Sequence, residues 1–314
     1  MRAIFHYDCG PRLVARLAEL AREGFAIAPC PEADDARLAA LLPAAEVLLH
    51  VLKPATAAVI AQAPRLRLIQ KIGVGVNTID LDAARARAIA VCNMPGTNTQ
   101  AVAEAALLLI LAALRNLAGL DRACRAGQGW VVGPSLQERV GELRGRTVGL
   151  VGAGMVPRAL APMLRALGGT VVYSSRGAHP ELGIPRRELP ALLAEADIVS
   201  LHLPLVPETE RLIDAAAIAR MKPGAILVNT ARGGLVDEAA LVAALQGGHL
   251  RAAGLDVFAD EPLASDNPLL ELDNVVLTPH VAWLTPETLD RSLAVAVENM
   301  RRLRDGRDLL HRVV

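Results

Sequence analysis

The sequence predicts an α/β protein of two doubly wound, Rossmann-like parallel-sheet domains with a cleft between them. Three observations carry this. Short apolar runs of strand length alternate with amphipathic helical stretches along most of the chain. Gly152 and Gly154 stand just past an apolar strand and open a helix. The length, 314 residues, suits about two domains at roughly 150 residues each.

Residues 2–6 read as a strand and 11–22 as an amphipathic helix. Strands follow over 46–51 (EVLLHV) and 67–72 (RLIQKI), with an Ala-rich helix over 55–63 between them. GVGVNTID at 73–80 is a glycine-bearing loop, and Asp82 is a candidate cap for the helix after it. One long apolar helix is expected from Thr99 to about Leu120, suited to an interdomain element. Residues 121–146 mix Gly, Pro and charge and read as a linker with one short helix. A second α/β run opens with TVGLVGAG. It continues as helix 156–167, strands 170–174 and 197–202, helix 214–220, strand 225–229 and helix 237–247. Strands near 252–257 and 274–277 complete it. Residues 286–304 form a last long helix, and the final ten return to loop or edge. The chain stops at Val314, so no further regulatory domain is expected.

Composition narrows the function classes. Lys+Arg and Asp+Glu are each 33, a formal net charge of zero, which argues against nucleic acid as a partner. Hydrophobic residues are 53% and charged residues 21%, so the chain folds rather than staying disordered. Aromatics are 2%, leaving Ala, Val, Leu and Ile to build the core. Cys9, Cys30, Cys92 and Cys124 have no CxxC spacing, so neither a metal cluster nor a disulfide framework is expected, and a reducing compartment fits. MRAIFHYDCG has no signal core, and the apolar runs near 101–114 and 147–153 are too short or too broken to span a bilayer. A soluble cytoplasmic protein without a membrane partner is expected.

At Gly152-Ala153-Gly154, the first glycine permits a tight turn and the second lets backbone approach a pyrophosphate. The helix start behind them offers unpaired N–H groups and a positive dipole end to phosphate. The third fingerprint position is Pro157. Proline is tolerable in a first helical turn but adds bulk where close packing is expected. An ordinary strand–turn–helix without a ligand has the same local sequence, so the turn alone leaves both readings open. About 20 residues after the first glycine, an NAD site places an acid on the ribose diol; here that position is Ser174. Ser174 and Ser175 can hydrogen-bond a 2′-phosphate, and Arg176 can pair with it. NADP is therefore the expected cofactor, with NAD possible. The plainer alternative is a solvated arginine beside capping serines, with both cofactors used.

Arg232, Glu261 and His280 each follow the end of an apolar strand, where open α/β sheets bind ligands. Histidine donates protons near neutral pH. A carboxylate beside it stabilises the imidazolium, and arginine grips a carboxylate through its planar fork. Together they suit reduction of a 2-oxo acid by a nicotinamide hydride. Singly, Arg232 could pair with Asp237, Glu261 could cap a turn and His280 could be a buried structural residue.

These residues lie in segments that carry a family resemblance. They are GVGVNTIDLDAARARAIAVCNMPGTNTQAVAEAAL (73–107), ELRGRTVGLVGAG (142–154), HLPLVPET (202–209), MKPGAILVNTARGGLVDEAAL (221–241), AAGLDVFADEPL (252–263) and NPLLELDNVVLTPH (267–280). The chain resembles the D-isomer-specific 2-hydroxyacid dehydrogenases, which include phosphoglycerate, glyoxylate/hydroxypyruvate and D-lactate dehydrogenases. The resemblance implies a substrate-binding domain of residues 1–98 plus 285–314 and a dinucleotide-binding domain of 99–284. It implies a homodimer through the cofactor domain. It makes His280 the acid/base, Glu261 its partner and Arg232 the residue that orients the 2-oxo acid. The amides of Val74 and Gly75 would hold the substrate carboxylate, and Asp256 would receive the nicotinamide carboxamide. Met155 and Val156 would join the glycines on the cofactor. So would His202, Pro204, Thr209, Thr230 and Ala231, with Asn98 at the domain crossing. Three departures stand out: Pro157 for the third glycine, Ser174 for the usual acid, and Asn77 where many members have Asp.

Substrate choice is read from two further residues. Lys53, in HVLKP, can face the cleft and bind a second anionic group, or be a solvated surface lysine. Trp283 can wall the pocket or pack at the domain joint. The reading is an oxidoreductase on a small 2-oxo/2-hydroxy acid of D configuration, glyoxylate or hydroxypyruvate first. The alternatives are a phosphoglycerate dehydrogenase acting on phosphohydroxypyruvate and a non-catalytic nucleotide-sensing protein.

Overall fold

Every apolar run that reads as a strand joins one of two parallel sheets. The computed structural model describes residues 1–130, 133 and 135–314. The chain divides into two units, Met1–Asn98 with Thr285–Val314, and Thr99–Leu284.

The first unit runs β1 (Arg2–His6), α1 (Pro11–Arg22), β2 (Ala26–Cys30), α2 (Asp35–Leu41), β3 (Val47–His50), α3 (Ala57–Ala61), β4 (Leu68–Lys71), α4 (Leu81–Ala86) and β5 (Ala90–Cys92). Helix α1 starts on Pro11, whose missing N–H costs nothing there, and buries Leu13, Leu17 and Leu20 on one face. β3 and β4 are buried at every position, as parallel strands covered on both faces must be. Sheet order is β2-β1-β3-β4-β5. The sequence pattern does not mark β2, α2 or β5: β2 (AIAPC) is interrupted by Pro29, and β5 (AVC) is only three residues long. The cap of α4 is Asp80, which accepts from the Ala83 amide at 2.9 Å, rather than Asp82. Asp82 lies inside the first turn and pairs with Arg85 at 2.6 Å.

The second unit opens with α5 (Thr99–Leu114) and α6 (Leu117–Arg125), bent by 66° where one helix to about Leu120 is expected. Asn116 adopts a left-handed conformation at the break (φ 49°), which asparagine tolerates better than most residues. Among the described residues, no single helix is long and apolar enough to cross a membrane. After α7 (Ser135–Arg139) come β6 (Thr147–Val151), α8 (Met155–Ala166), β7 (Thr170–Ser174), α9 (Leu189–Glu195) and β8 (Ile198–Leu201). Then follow α10 (Ala215–Arg220), β9 (Ala225–Asn229), α11 (Glu238–Gln246), β10 (Leu250–Leu255) and β11 (Val275–Leu277). The order β11-β10-β9-β8-β6-β7 is doubly wound, with its switch point between β6 and β8. Helix α5 lies on the sheet at Gly254, where a Cβ would come within 2.9 Å of Leu109 Cβ.

The chain returns to the first unit as α12 (Pro286–Asp305). Its buried Asn299 donates to Gln70 Oε1 at 2.7 Å and to the Leu310 carbonyl at 3.1 Å, and accepts from the Leu310 amide at 2.8 Å. This fixes the tail, whose Val313 amide donates to the Val91 carbonyl at 2.7 Å along the edge of β5. Asn299→Ala leaves these buried groups unpaired and should destabilise this unit by roughly 1–3 kcal/mol. Urea unfolding checks this; an unchanged midpoint contradicts it.

Candidate active site

The glycine turn sits at the switch point. Gly152 has φ 119° and donates its N–H to the Ser174 carbonyl at 2.8 Å. A Cβ there would lie 2.5 Å from the His202 carbonyl oxygen, so only glycine fits between the ends of β7 and β8. Gly154 differs: nothing lies within 4 Å of a Cβ built on it. It precedes α8 without a side-chain cap, so no capping side chain takes the first-turn N–H groups at Met155 and Val156. Pro157 is buried in that turn, and α8 continues to Ala166 regardless. Its absent N–H is one that a helix start leaves unpaired anyway.

Around this turn the other cofactor candidates take different roles. Ser174 is buried, Ser175 Oγ donates to the Gly177 carbonyl at 2.5 Å, and Arg176 is exposed. Arg186, which the sequence does not mark, donates to the Ser175 carbonyl from Nε at 3.1 Å and Nη2 at 2.9 Å. His202 Nε2 is 2.9 Å from Ser200 Oγ, and burial pushes its imidazole down to about 3, so the ring is neutral. Thr209 Oγ1 donates to the Pro204 carbonyl at 2.7 Å and accepts from the Val206 amide at 2.9 Å, shaping its own turn. Thr230 Oγ1 is buried with no hydrogen-bond partner among the described residues. Asn98 is half-buried at the end of the first unit's leading segment.

Arg232, Glu261 and His280 follow β9, β10 and β11, which are neighbours, so the parallel register brings all three to one rim. Asn229 at the end of β9 folds the first loop. Its Oδ1 accepts from the Ala231 amide at 3.0 Å and its Nδ2 donates to the Arg232 carbonyl at 2.8 Å. Arg232 is half-buried; desolvation lowers its pKa, and the charge of Glu261 works against that. Glu261 Oε2 lies 2.6 Å from His280 Nδ1, and Glu261 Oε1 accepts from the Phe258 amide at 3.0 Å. Burial raises the Glu261 carboxyl, but the His280 bond and charge, the Phe258 amide and Arg232 together hold it below its ordinary value.

His280 has φ 55°, a left-handed conformation that is strained for a non-glycine residue. Asp256 holds it there. The His280 amide donates to the Asp256 carbonyl at 2.7 Å. The Asp256 carboxylate accepts from Thr278 Oγ1 (2.6 Å), the Val281 amide (2.9 Å) and the Ala282 amide (3.0 Å). Burial raises its pKa nonetheless. The buried Trp283 adds an indole N–H on the His280 carbonyl at 3.1 Å. Asn229 and Thr278 carry no chemistry of their own and leave no mark in the sequence pattern.

In the first unit, the Val74 and Gly75 amides donate to no other described residue, and Val74 is exposed. Asn93 Nδ2 donates to the Val74 carbonyl at 3.0 Å and steadies that loop. The Lys53 ammonium pairs with Asp35 at 2.6 Å and donates to the Glu32 carbonyl at 2.8 Å.

An open parallel sheet with a glycine turn and a bare helix start at its switch point is a dinucleotide-binding architecture. Comparison with known proteins gives the family. Residues 107–282 match "D-isomer specific 2-hydroxyacid dehydrogenase, NAD binding domain". A D-3-phosphoglycerate dehydrogenase of Mycobacterium tuberculosis is 45% identical over 275 residues, 85% of this chain and 51% of the relative. The chain thus spans about half the length of that relative. A glyoxylate reductase of Aeropyrum pernix is 43% identical over 256 residues, 79% of this chain and 76% of the relative. The crystal structure of TT0316 protein from Thermus thermophilus superposes with a TM-score of 0.89 at 40% identity, covering 100% of both chains. The chain belongs to the D-isomer specific 2-hydroxyacid dehydrogenase family.

Because Glu261 is held below its ordinary value in the folded state, its stabilisation is full above the unfolded value. It is lost as pH falls through the folded one. Glu261→Gln should therefore flatten the acid limb of Tm against pH. Parallel limbs for the two proteins contradict this.

Proposed function

We propose that the protein is an NADP-dependent reductase of a small 2-oxo acid, forming the D-2-hydroxy acid, with residues 99–284 as cofactor domain and 1–98 plus 285–314 as substrate domain. The observation that carries this is the 2.6 Å Glu261–His280 pair on the same rim as a half-buried Arg232. The cofactor suits the residues present. The space at Gly154 admits a pyrophosphate, the α8 start offers amides, and the orphaned Thr230 hydroxyl awaits a partner. The exposed Arg176 offers a cation, and neither it nor Ser174 nor Ser175 is a carboxylate, which favours a 2′-phosphate; NAD remains the second choice.

The nicotinamide supplies the hydride when bound. Arg232 grips the substrate carboxylate through its fork. His280 bonds the ketone oxygen through Nε2 and donates its proton there as charge develops, while Glu261 stabilises the imidazolium through Nδ1. Asp256 keeps one acceptor site, on Oδ2, for the carboxamide beyond the three bonds it already accepts.

Glyoxylate or hydroxypyruvate is the substrate this reading favours, because Lys53 is already committed to Asp35. Phosphohydroxypyruvate would have to draw it away. Leu108, Leu111 and Leu117 are exposed on the cofactor unit, as is Trp130, and support a homodimer through that unit. Four unpaired cysteines suit a reducing, cytoplasmic setting.

A panel of glyoxylate, hydroxypyruvate, phosphohydroxypyruvate and pyruvate with NADPH and NADH tests this by cofactor absorbance. Fast glyoxylate or hydroxypyruvate turnover with an NADPH advantage is expected. His280→Gln should lower turnover by about 10²–10⁴-fold. Near-normal turnover in that variant overturns the role of His280.

A further inference from the structure

The Arg232 and Glu261 loops touch each other. A Cβ on Gly233 would sit 1.8 Å from the Phe258 carbonyl oxygen, so the first loop lies directly on the Phe258–Ala259 peptide. The first loop ends at Glu238, the opening residue of α11. Capping there is the work of Asp237, which accepts from the Ala240 amide at 3.1 Å, so the helix start makes no demand on Glu238.

The Glu238 carboxylate turns instead to the second loop. Oε2 accepts from the Ala259 amide at 3.0 Å and Oε1 accepts from Asn267 Nδ2 at 2.8 Å. Asn267 is itself fixed, because its Oδ1 caps the next turn through the Leu269 amide at 2.9 Å. One carboxylate therefore closes both ends of segment 260–266, which carries Glu261. The neighbouring amides of Phe258 and Ala259 are divided between two carboxylates, Glu261 and Glu238. Without Glu238 the Ala259 amide and Asn267 Nδ2 both lose their acceptor, and the segment that carries Glu261 loses a tie at each end.

We propose that Glu238 is a positioning residue that sets Glu261 against His280 by clamping both ends of the Glu261 loop. This rests on the roles given above to Glu261 and His280.

The test uses Glu238→Ala and Glu238→Gln in the full chain. The Glu261 carboxyl is followed by carbon-13 NMR titration, assigned with Glu261→Gln, alongside kcat and KM. In Glu238→Ala the Glu261 titration should move to higher pH, and the acid limb of kcat should move with it. Turnover should fall roughly ten- to a hundredfold, as for a misplaced catalytic group, with KM for the cofactor unchanged. Glutamine can accept from only one of the two donors, so Glu238→Gln should shift both readouts in the same direction by less. It decides the matter if the alanine variant does not fold. A lowered Tm with an unmoved Glu261 titration overturns the proposal. A wild-type protein that reduces no 2-oxo acid sinks the functional reading instead, and the NMR titration still answers for the clamp.

Discussion

The bond between Glu261 and His280 is short because three loops are pressed into one another at the rim of a parallel sheet. Gly233 admits the Phe258 carbonyl where no side chain would fit. Asp256 gathers Thr278, Val281 and Ala282, the residues on either side of His280 in the loop. His280 is held at a φ of 55°, a conformation that costs of order 1–3 kcal/mol and persists only where its surroundings over-determine it. Local strain at His280 is thus offset by its hydrogen bonds to Asp256 and Trp283.

The same sheet carries the glycine turn at which we propose that the cofactor phosphates bind. Its topology reverses between β6 and β8, and Gly152 is the residue squeezed into that gap against His202. The two glycines of the turn do different jobs. Gly152 is demanded by the protein's own backbone, while Gly154 leaves open space beside a helix start. Pro157 is compatible with both because it removes a donor that the first turn cannot use internally.

Much of this was legible in the sequence where burial writes a continuous pattern. AILVN at 225–229 is buried throughout and reads as a strand without help. Arg232, Glu261 and His280 stand out as candidates in the sequence because each is a chemistry-bearing residue just past such a run, and the fold brings them to one rim. The residues that hold them were not legible. Asn229 and Thr278 act through contacts fixed only by the fold, and Arg186 reaches the Ser175 carbonyl from another part of the chain. Helix continuity failed at Asn116 for a related reason: apolar composition runs on across it, while a single left-handed residue turns the backbone. The short β2 and β5 are not marked either, one interrupted by Pro29 and the other only three residues long.

The central claim is that this rim moves a hydride and a proton onto a 2-oxo acid with one handedness. The direct measurement is single turnover with a reduced cofactor deuterated at the transferring ring carbon, followed by analysis of the hydroxy acid. With hydroxypyruvate as the acid, the account predicts deuterium at C2 of D-glycerate. Solvent hydrogen at that carbon, or an L product, would contradict it.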